Sequence, residues 1–340
     1  MRFFRGADKN AYDDRSICER IAVTGSWLKW ARRRALLVAP VILLATFIVF
    51  GLLELVPGDL AVTLAGEAPS PERIAEIRAT YGFDKPFLVQ YLNWLGNVVQ
   101  GDLSRSLLSG EPVVNSILNR LPNTLIVIFG ALSLSLAMGI PLGVAAAVRP
   151  GSRVDQALAT AVSLGVALPS FWLAMILVSI FALGLNWFPA TGMVRLSTSI
   201  PDAISHAVLP SVALSVAGAA TIARQLRSAL VEILSSQYVR TLRAKGLSPG
   251  AILWKHGLKN ASVTLLTVIG LQVNRLFSAT VVVEVVFAIP GMGGLVVPAA
   301  LAKDFPVVQG VVLTMAILNV TINFIIDGLI AYLDPRVALS

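Results

Sequence analysis

Long apolar blocks are the feature that most constrains how this chain can fold. A bilayer core about 30 Å thick needs roughly 20 apolar residues of helix to cross it. Hydrophobic residues make up 56% of the 340 residues and charged residues 14%, against about 25% charged residues in globular chains. The sequence therefore predicts an all-α membrane protein. Its six expected transmembrane helices cover residues 36–56, 124–148, 157–185, 207–223, 261–287 and 306–333.

Two of these spans need separate comment. The first follows Lys29 and Arg32 to Arg34, as a signal peptide would, but its apolar stretch is longer than the 7–15 residues of a signal-peptide core. We expect a retained membrane helix, preceded by a cytosolic N-terminal extension over residues 1–35. The fourth span is short and rich in Ala, Ser and Val. Small residues let helices approach closely, so we expect this span at a packed interface.

The distribution of Lys and Arg predicts the orientation. If the N-terminus is cytosolic, 19 of the 27 Lys and Arg residues lie inside, 7 lie outside and Arg275 lies within a span. Cytoplasmic loops carry the excess of positive charge. The chain is therefore expected in the plasma (inner) membrane as a multi-pass protein with both termini cytosolic. No nucleic-acid partner is expected.

The sequence argues against catalysis by this chain. Its only cysteine is Cys18, and His206 and His256 lie fifty residues apart, so neither a thiolate site nor a histidine metal site is expected. The P-loop pattern G-x-x-x-x-G-K-[ST] is absent, since no Gly-Lys dipeptide occurs. The Gly-rich stretch at residues 290–294 predicts a turn or re-entrant corner.

The segment between the first two spans, residues 57–120, is expected to be a small helical extracytoplasmic cap. Ser70 and Pro71 are typical of a helix start. A second helix is predicted from apolar residues at spacings of one, three and four. This stripe either packs the cap onto the membrane helices or contacts substrate. Its members are Phe87, Leu88, Tyr91, Leu95 and Val98.

The cytosolic connection between spans four and five, residues 224–260, carries the most information. A helix over residues 237–246 is predicted to end at Gly246, and Ser248 with Pro249 starts a second one. Two short helices are thus expected to meet at a sharp corner. The first interleaves apolar residues with cations. It either enters the groove of an acidic partner or lies against lipid headgroups.

This connection resembles a known family. The run from Tyr238 to Ser248, followed by Lys255-His256 and Lys259-Asn260-Ala261, is similar to the docking loop of permease subunits in peptide-importing ABC transporters. The resemblance covers nearly everything after residue 35 and points to the dipeptide, oligopeptide and nickel branch. The further matching motifs are Pro57-Gly58-Asp59, residues 81–86, Gln90-Tyr91, residues 101–104, 169–172, 283–287, Pro290-Gly291, residues 304–310 and Asp334-Pro335-Arg336.

The resemblance implies a type I ABC importer permease fold with a permease core over residues 121–340. It also implies a coupling helix seated in a cytosolic ATPase. Its expected docking residues are Tyr238, Arg240, Thr241, Leu242, Arg243, Ala244, Lys245, Gly246 and Leu247. Arg240-Thr241-Leu242 stands where many other ABC permeases have Glu-Ala-Ala, a departure usual in the peptide branch. No cofactor or metal is expected in this chain, because ATP and Mg would be bound by the ATPase subunits.

The resemblance also implies the partners. These are a second homologous permease, two cytosolic ATPase domains, an extracytoplasmic solute-binding protein, a peptide substrate and the lipid bilayer. Nickel chelates, glutathione or another small solute are alternative substrates. An ion-coupled secondary transporter and a membrane scaffold are rival classes, but neither the paired repeats nor the midplane carboxylates typical of secondary transporters are evident.

Charges within the spans are expensive in hydrocarbon and need partners or water. Glu54 and Asp327 are expected to be carboxylates at the interface or bonded to a neighbouring helix or loop. Arg275 either lines the path or is satisfied inside the bundle. The resemblance places the segment of Glu284 and Phe287 at the outer gate. Glu284 either lines or gates the path, or makes a structural hydrogen bond.

Overall fold

The computed structural model describes residues 36, 38–51, 60–65 and 70–333. Predictions for residues 1–35, 52–59 and 334–340, which include Cys18 and Glu54, lie outside these residues. Within them all named elements are helical. They are α1 (Val38–Gly51), α2 (Leu60–Ala65), α3 (Pro71–Tyr81), α4 (Phe87–Val99), α5 (Val113–Val148), α6 (Arg153–Ala167), α7 (Ser170–Leu177) with a π-helical continuation (Val178–Gly184), α8 (Ile200–Ser235), α9 (Gln237–Ala244), α10 (Pro249–Ala251) followed by a π-helical turn (Ile252–Gly257), α11 (Leu258–Val286), α12 (Gly293–Leu301) and α13 (Phe305–Leu333).

The described helices include four that are long and apolar enough to cross a membrane. These are α5, α8, α13 and the continuous rod Pro249–Val286 formed by α10, the π-helical turn and α11. A fifth candidate is the bent pair of α6 and α7, whereas α1 is apolar but shorter. The all-α membrane class is confirmed. The number of six complete spans stays a prediction.

The third predicted span is broken rather than straight. Its two halves, Asp155–Ala167 and Ser170–Gly184, are bent by 95°. Pro169 supplies the physical reason, because proline lacks an N–H donor and disfavours helical geometry in the residue before it. Leu168 accordingly leaves the helix with ψ at 123°. The uninterrupted apolar run concealed this break.

The second predicted span is longer than expected. Helix α5 begins at Val113 rather than Thr124, because its first turns are apolar on one side and bury Val113 and Ile117 against Val308 and Val311 of α13. Residues 113–120, predicted as part of the cap, therefore belong to this helix. Pro122 and Pro141 both lie inside it.

Helix α8 is the centre of the bundle. In the most apolar 18-residue stretch of α8, 67% of the residues are buried, against 28% in that of α5. Helices α6, α7 and α11 also pack on α8. A Cβ atom added at Gly139 or Gly143 of α5 would lie 2.8 Å from the carbonyl oxygen of Ala219 or Ala223 of α8, respectively. Small residues permit this approach, so the predicted interface position of the fourth span is confirmed.

The apolar stripe of α4 packs against α1. Tyr91 and Trp94 are buried together with Phe50, and the rings of Phe47 and Tyr91 meet edge to face with centroids 5.2 Å apart. The Tyr91 hydroxyl donates to the carbonyl oxygen of Leu43 at 3.1 Å. The packing alternative for this stripe is therefore the one the structure supports, although the predicted member Leu88 is exposed.

A buried carboxylate fixes the loop that leads from α4 to α5. Asp304, at the start of α13, is 4% exposed. It accepts a hydrogen bond from Ser106 Oγ at 2.5 Å and another from the Leu107 N–H at 3.0 Å. Both bonds join segments almost 200 residues apart in sequence, and they hold the loop between α4 and α5 against the start of α13.

The contact between α5 and α8 generates a prediction. Gly139→Ala places a methyl group 2.8 Å from the Ala219 oxygen and 2.9 Å from Ile222 Cβ, so the helices must separate at a cost of about 1–3 kcal/mol. Melting of the detergent-solubilised protein should occur at a lower temperature. Gly96→Ala in α4 is the matched control, since its added Cβ meets nothing within 4 Å. Gly96→Ala should raise the free energy of unfolding by about 0.5–1 kcal/mol, because alanine has the higher helix propensity. Equal melting shifts for the two variants would contradict the close contact.

Candidate functional site

The corner after α8 is built from local capping bonds. The Val239 N–H donates to Ser236 Oγ at 3.4 Å and so caps the start of α9. At its end the N–H groups of Gly246 and Leu247 donate to the carbonyl oxygens of Arg243 at 2.9 Å and Leu242 at 3.2 Å. Gly246 has φ +81°. This is a Schellman motif, which needs a left-handed residue at that point. The predicted end of the helix at Gly246 is confirmed.

The second helix of the corner starts where predicted but is not short. The Ala251 N–H donates to Ser248 Oγ at 3.3 Å, and Pro249 occupies the first helical position. From there the rod Pro249–Val286 runs without interruption into span five. The expectation of two short helices is therefore wrong for the second, because Gly257 keeps a helical backbone with φ −64° and no proline occurs between Pro249 and Pro290. The π-helical turn Ile252–Gly257 lies within the rod.

Helix α9 is attached firmly to the start of this rod. Val239 is fully buried and Ile252 is 2% exposed. The Tyr238 hydroxyl and His256 Nδ1 are 2.8 Å apart and hydrogen-bonded, and the two rings meet edge to face. Below the corner, Leu226 and Leu230 of α8 share a core cluster with Ala261 of α11. The corner is therefore held by the bond between Tyr238 and His256 and, below it, by the apolar cluster of α8 and α11.

The outward face of α9 is basic and open. Residues 236–260 contain no Asp or Glu. Leu242 and Leu247 are half-buried, and Tyr238 is 49% exposed. Besides Tyr238, the exposed residues of the predicted docking set are Arg240, Thr241, Arg243, Ala244, Lys245 and Gly246. Such a face suits an acidic surface with an apolar depression.

The second group of predicted site residues, Glu284 and Phe287, lies at the opposite end of the bundle. Thr124 Oγ1 donates to Glu284 Oε1 at 2.5 Å, and the Gly293 N–H donates to Glu284 Oε2 at 2.6 Å. Thr124 Oγ1 also accepts from the Met292 N–H at 2.8 Å. We call these four residues, Glu284, Thr124, Met292 and Gly293, the Glu284 clamp. It joins α5, α11 and the N-terminus of α12, where a carboxylate is favoured by the helix dipole.

Glycines make room for this clamp. A Cβ at Gly291 would overlap the Glu284 carboxyl group, and one at Gly293 would lie 2.6 Å from Val281 Cα and from its carbonyl oxygen. The segment 290–294 thus forms the tight corner between α11 and α12, as predicted. Its glycines serve close packing around a carboxylate rather than phosphate binding.

The gate residues occupy different environments. Glu284 is 0% and Phe287 1% exposed, so neither borders open space in this structure. Of the alternatives for Glu284, the structure supports the hydrogen bond. Arg275 is instead exposed in the middle of α11, with Nη1 3.5 Å from Thr221 Oγ1 of α8. Asp327 near the end of α13 is half-buried and has an interaction partner.

One strong interaction was not predicted. Arg227 of α8 donates two hydrogen bonds to Asp155 of α6, from Nε to Oδ1 and from Nη2 to Oδ2, both 2.5 Å long. Asp155 also accepts from the Gly151 N–H at 2.8 Å. The sequence Ser152-x-x-Asp155 resembles a capping box and could have indicated the local part. The partner 72 residues away carries no local signal.

Comparison with known proteins gives the class of this architecture. Residues 139–339 match the family described as "Binding-protein-dependent transport system inner membrane component", and residues 27–128 match its N-terminal family. The chain is 38% identical over 308 residues to the oligopeptide transport system permease protein AppB of Bacillus subtilis (strain 168), covering 90% of this chain and 98% of AppB. It is 36% identical over 331 residues to the di/tripeptide transport system permease protein DppB of Pseudomonas aeruginosa (strain UCBPP-PA14), covering 91% and 98%.

A solved structure shares the fold. The inward-facing MetNI methionine ABC transporter contains a chain that superposes with a TM-score of 0.53 at 22% identity, covering 64% of this chain and 95% of that one. The chain belongs to the family of binding-protein-dependent transport system inner membrane components. It has the type I importer permease fold, and it is a multi-pass inner-membrane permease subunit rather than a catalytic enzyme.

The Glu284 clamp generates a second prediction. Glu284→Ala leaves Thr124 and the Gly293 N–H without their acceptor in a buried site, which costs about 3 kcal/mol. The purified permease should melt at a lower temperature, with Glu284→Gln intermediate because the amide keeps one acceptor. Glu111→Ala removes an exposed glutamate of the loop between α4 and α5 and should leave the melting temperature unchanged.

The competing role gives a different result. If Glu284 lined the path, Glu284→Ala would change the concentration dependence of uptake while the melting temperature stayed that of the wild type.

Proposed function

We propose that this chain is a permease subunit of an ATP-driven importer that moves di- and oligopeptides across the inner membrane into the cytosol. A second, homologous permease would complete the translocation path. Two ATPase domains, which bind ATP and Mg, would dock on the side of α9, and a solute-binding protein would deliver substrate at the opposite side. Both termini would be cytosolic. The names of the relatives, with AppB and DppB at 36–38% identity, support peptides as the cargo.

The main support for this proposal is that α9 has one side fixed to the bundle and one exposed, basic side. Its inner side is fixed by buried Val239 and by the bond from Tyr238 to His256, whereas its cations are exposed. A rigid amphipathic helix at the foot of a membrane rod can convert movement of a docked protein into movement of that rod. A helix lying on headgroups would need no stiff attachment to α11.

The proposed cycle follows from this attachment. Closure of the ATPases on ATP would shift α9, and the membrane helices would rock from an inward-open to an outward-open arrangement. Because the rod Pro249–Val286 extends from the corner to Glu284, the same movement would reach the outer end of the bundle. The docked binding protein would then release its peptide into the path.

Arg275 is our candidate for a path residue. An exposed guanidinium in the middle of a span is costly against lipid, so it should face water or the second permease. Its charge suits a carboxylate of a passing peptide. Nickel chelates, glutathione or another small solute are alternative cargoes. A proton-coupled carrier would require uptake that survives ATP depletion and collapses with the proton gradient.

The docking role is tested by placing a negative charge on the exposed face. Ala244→Asp adds a desolvated charge where the ATPase would sit, and a loss of about 2 kcal/mol corresponds to a roughly 30-fold weaker complex. Co-purification of the ATPase and substrate uptake should both fall. Gly246→Val should lower uptake as well, since a β-branched residue is strained at φ +81°.

Two matched variants serve as controls. Ala75→Asp puts the same charge on an exposed alanine of α3 at the outer end, and Gly250→Val changes a glycine whose Cβ would meet nothing within 4 Å. Both should retain ATPase binding. Wild-type co-purification and uptake in Ala244→Asp and Gly246→Val would refute the docking role.

A further inference from the structure

A cavity of about 370 Å³ opens between α5, α6 and α8, close to the end of the bundle that carries α9. We call that end the loop end. The cavity is distinct from the outward face of α9 and from the Glu284 clamp. Its lining residues are Leu142 and Ala146 of α5, residues 155, 156, 158, 159, 162 and 163 of α6, and Ala223, Arg224 and Arg227 of α8.

The cavity changes from ionic to apolar with depth. Helix α6 leads away from the loop end and rises about 1.5 Å per residue, so Val162 lies about 10 Å deeper than Asp155. The deep part is an apolar cluster in which Val162 and Ala223 pack with Leu142. The mouth carries Asp155, Arg224 and Arg227. This gradient matches a molecule with a charged head and a hydrocarbon tail.

The charge at the mouth is positive. Asp155 is 3% exposed and fully engaged by Arg227, so this pair contributes no net charge. Arg224 is exposed, and within the described residues its side chain makes no hydrogen bond or ion pair. Arg149 and Arg153 in the neighbouring turn are also exposed. An anion entering the mouth therefore meets an uncompensated guanidinium.

We propose that this cavity binds one anionic phospholipid of the leaflet at the loop end, with its phosphate on Arg224 and an acyl chain along Leu142 and Val162. Basic pockets between membrane helices suit anionic headgroups. A free phosphate would use only the mouth and gain nothing from the apolar wall. The lipid completes the surface of α6 and α8 beside the corner that holds α9. This inference does not depend on the identity of the cargo.

The test is native mass spectrometry of the transporter purified in mild detergent with its co-expressed partners. Phosphatidylglycerol is the probe and phosphatidylcholine the uncharged comparison. Arg224→Ala should lower retained phosphatidylglycerol about fivefold, as expected for one basic residue at a membrane surface. Ala159 lines the cavity and is exposed. Ala159→Trp changes no charge but fills the cavity with an indole ring, so it should also lower the amount of retained phosphatidylglycerol.

Arg195→Ala is the matched control, because Arg195 is an exposed arginine far from the cavity, and its retention should equal the wild type. Wild-type retention in both Arg224→Ala and Ala159→Trp would overturn the proposal. Displacement of the lipid signal by inorganic phosphate would overturn it in favour of a free anion. A cross-link from Ala159→Cys to the second permease, with no lipid retained, would overturn it in favour of a protein contact.

Discussion

The close approach of α5 and α8 is the contact on which the rest of the bundle depends. Lipid tails are as apolar as leucine side chains, so membrane helices associate through packing and hydrogen bonds rather than through the hydrophobic effect. Gly139 and Gly143 bring the two backbones close enough that a methyl group would collide with α8. With α8 held there, α6, α7 and α11 find their places around it.

Polar bonds at both ends of the α5–α8 pair hold further helices and a loop in place, where small residues alone do not. At the end of the bundle opposite α9 the Glu284 clamp ties α11 and α12 to α5, and Asp304 holds the loop before α5. At the loop end Asp155 and Arg227 join α6 to α8. The rod from Pro249 to Val286 connects the two ends. A push on α9 in the proposed cycle thus has one stiff element through which to act.

Helix starts and ends can be predicted from the sequence, whereas side-chain pairs between distant segments cannot. Ser248, Pro249 and Gly246 marked the corner correctly, because capping and left-handed glycines are decided by a few neighbouring residues. Pro169 is a local signal for the break in span three, but the apolar residues on both sides of it favour the prediction of one continuous span. The sequence shows that the charge of Glu284 is costly within a span, yet its partner Thr124 lies 160 residues away. Such pairs need the fold before they can be identified.

The proposed function requires that α9 contacts an ATPase, and site-directed cross-linking measures that contact directly. In a Cys18→Ser background the variant Ala244→Cys places the chain's single thiol on the exposed face of α9, and a maleimide–benzophenone label on it joins, on irradiation, to any protein within the short reach of the label. Cross-linking to the ATPase subunit in membranes, with a yield that changes when ATP is added, is the predicted result. Labelling of the thiol without any cross-link to the ATPase, with or without ATP, would contradict the account.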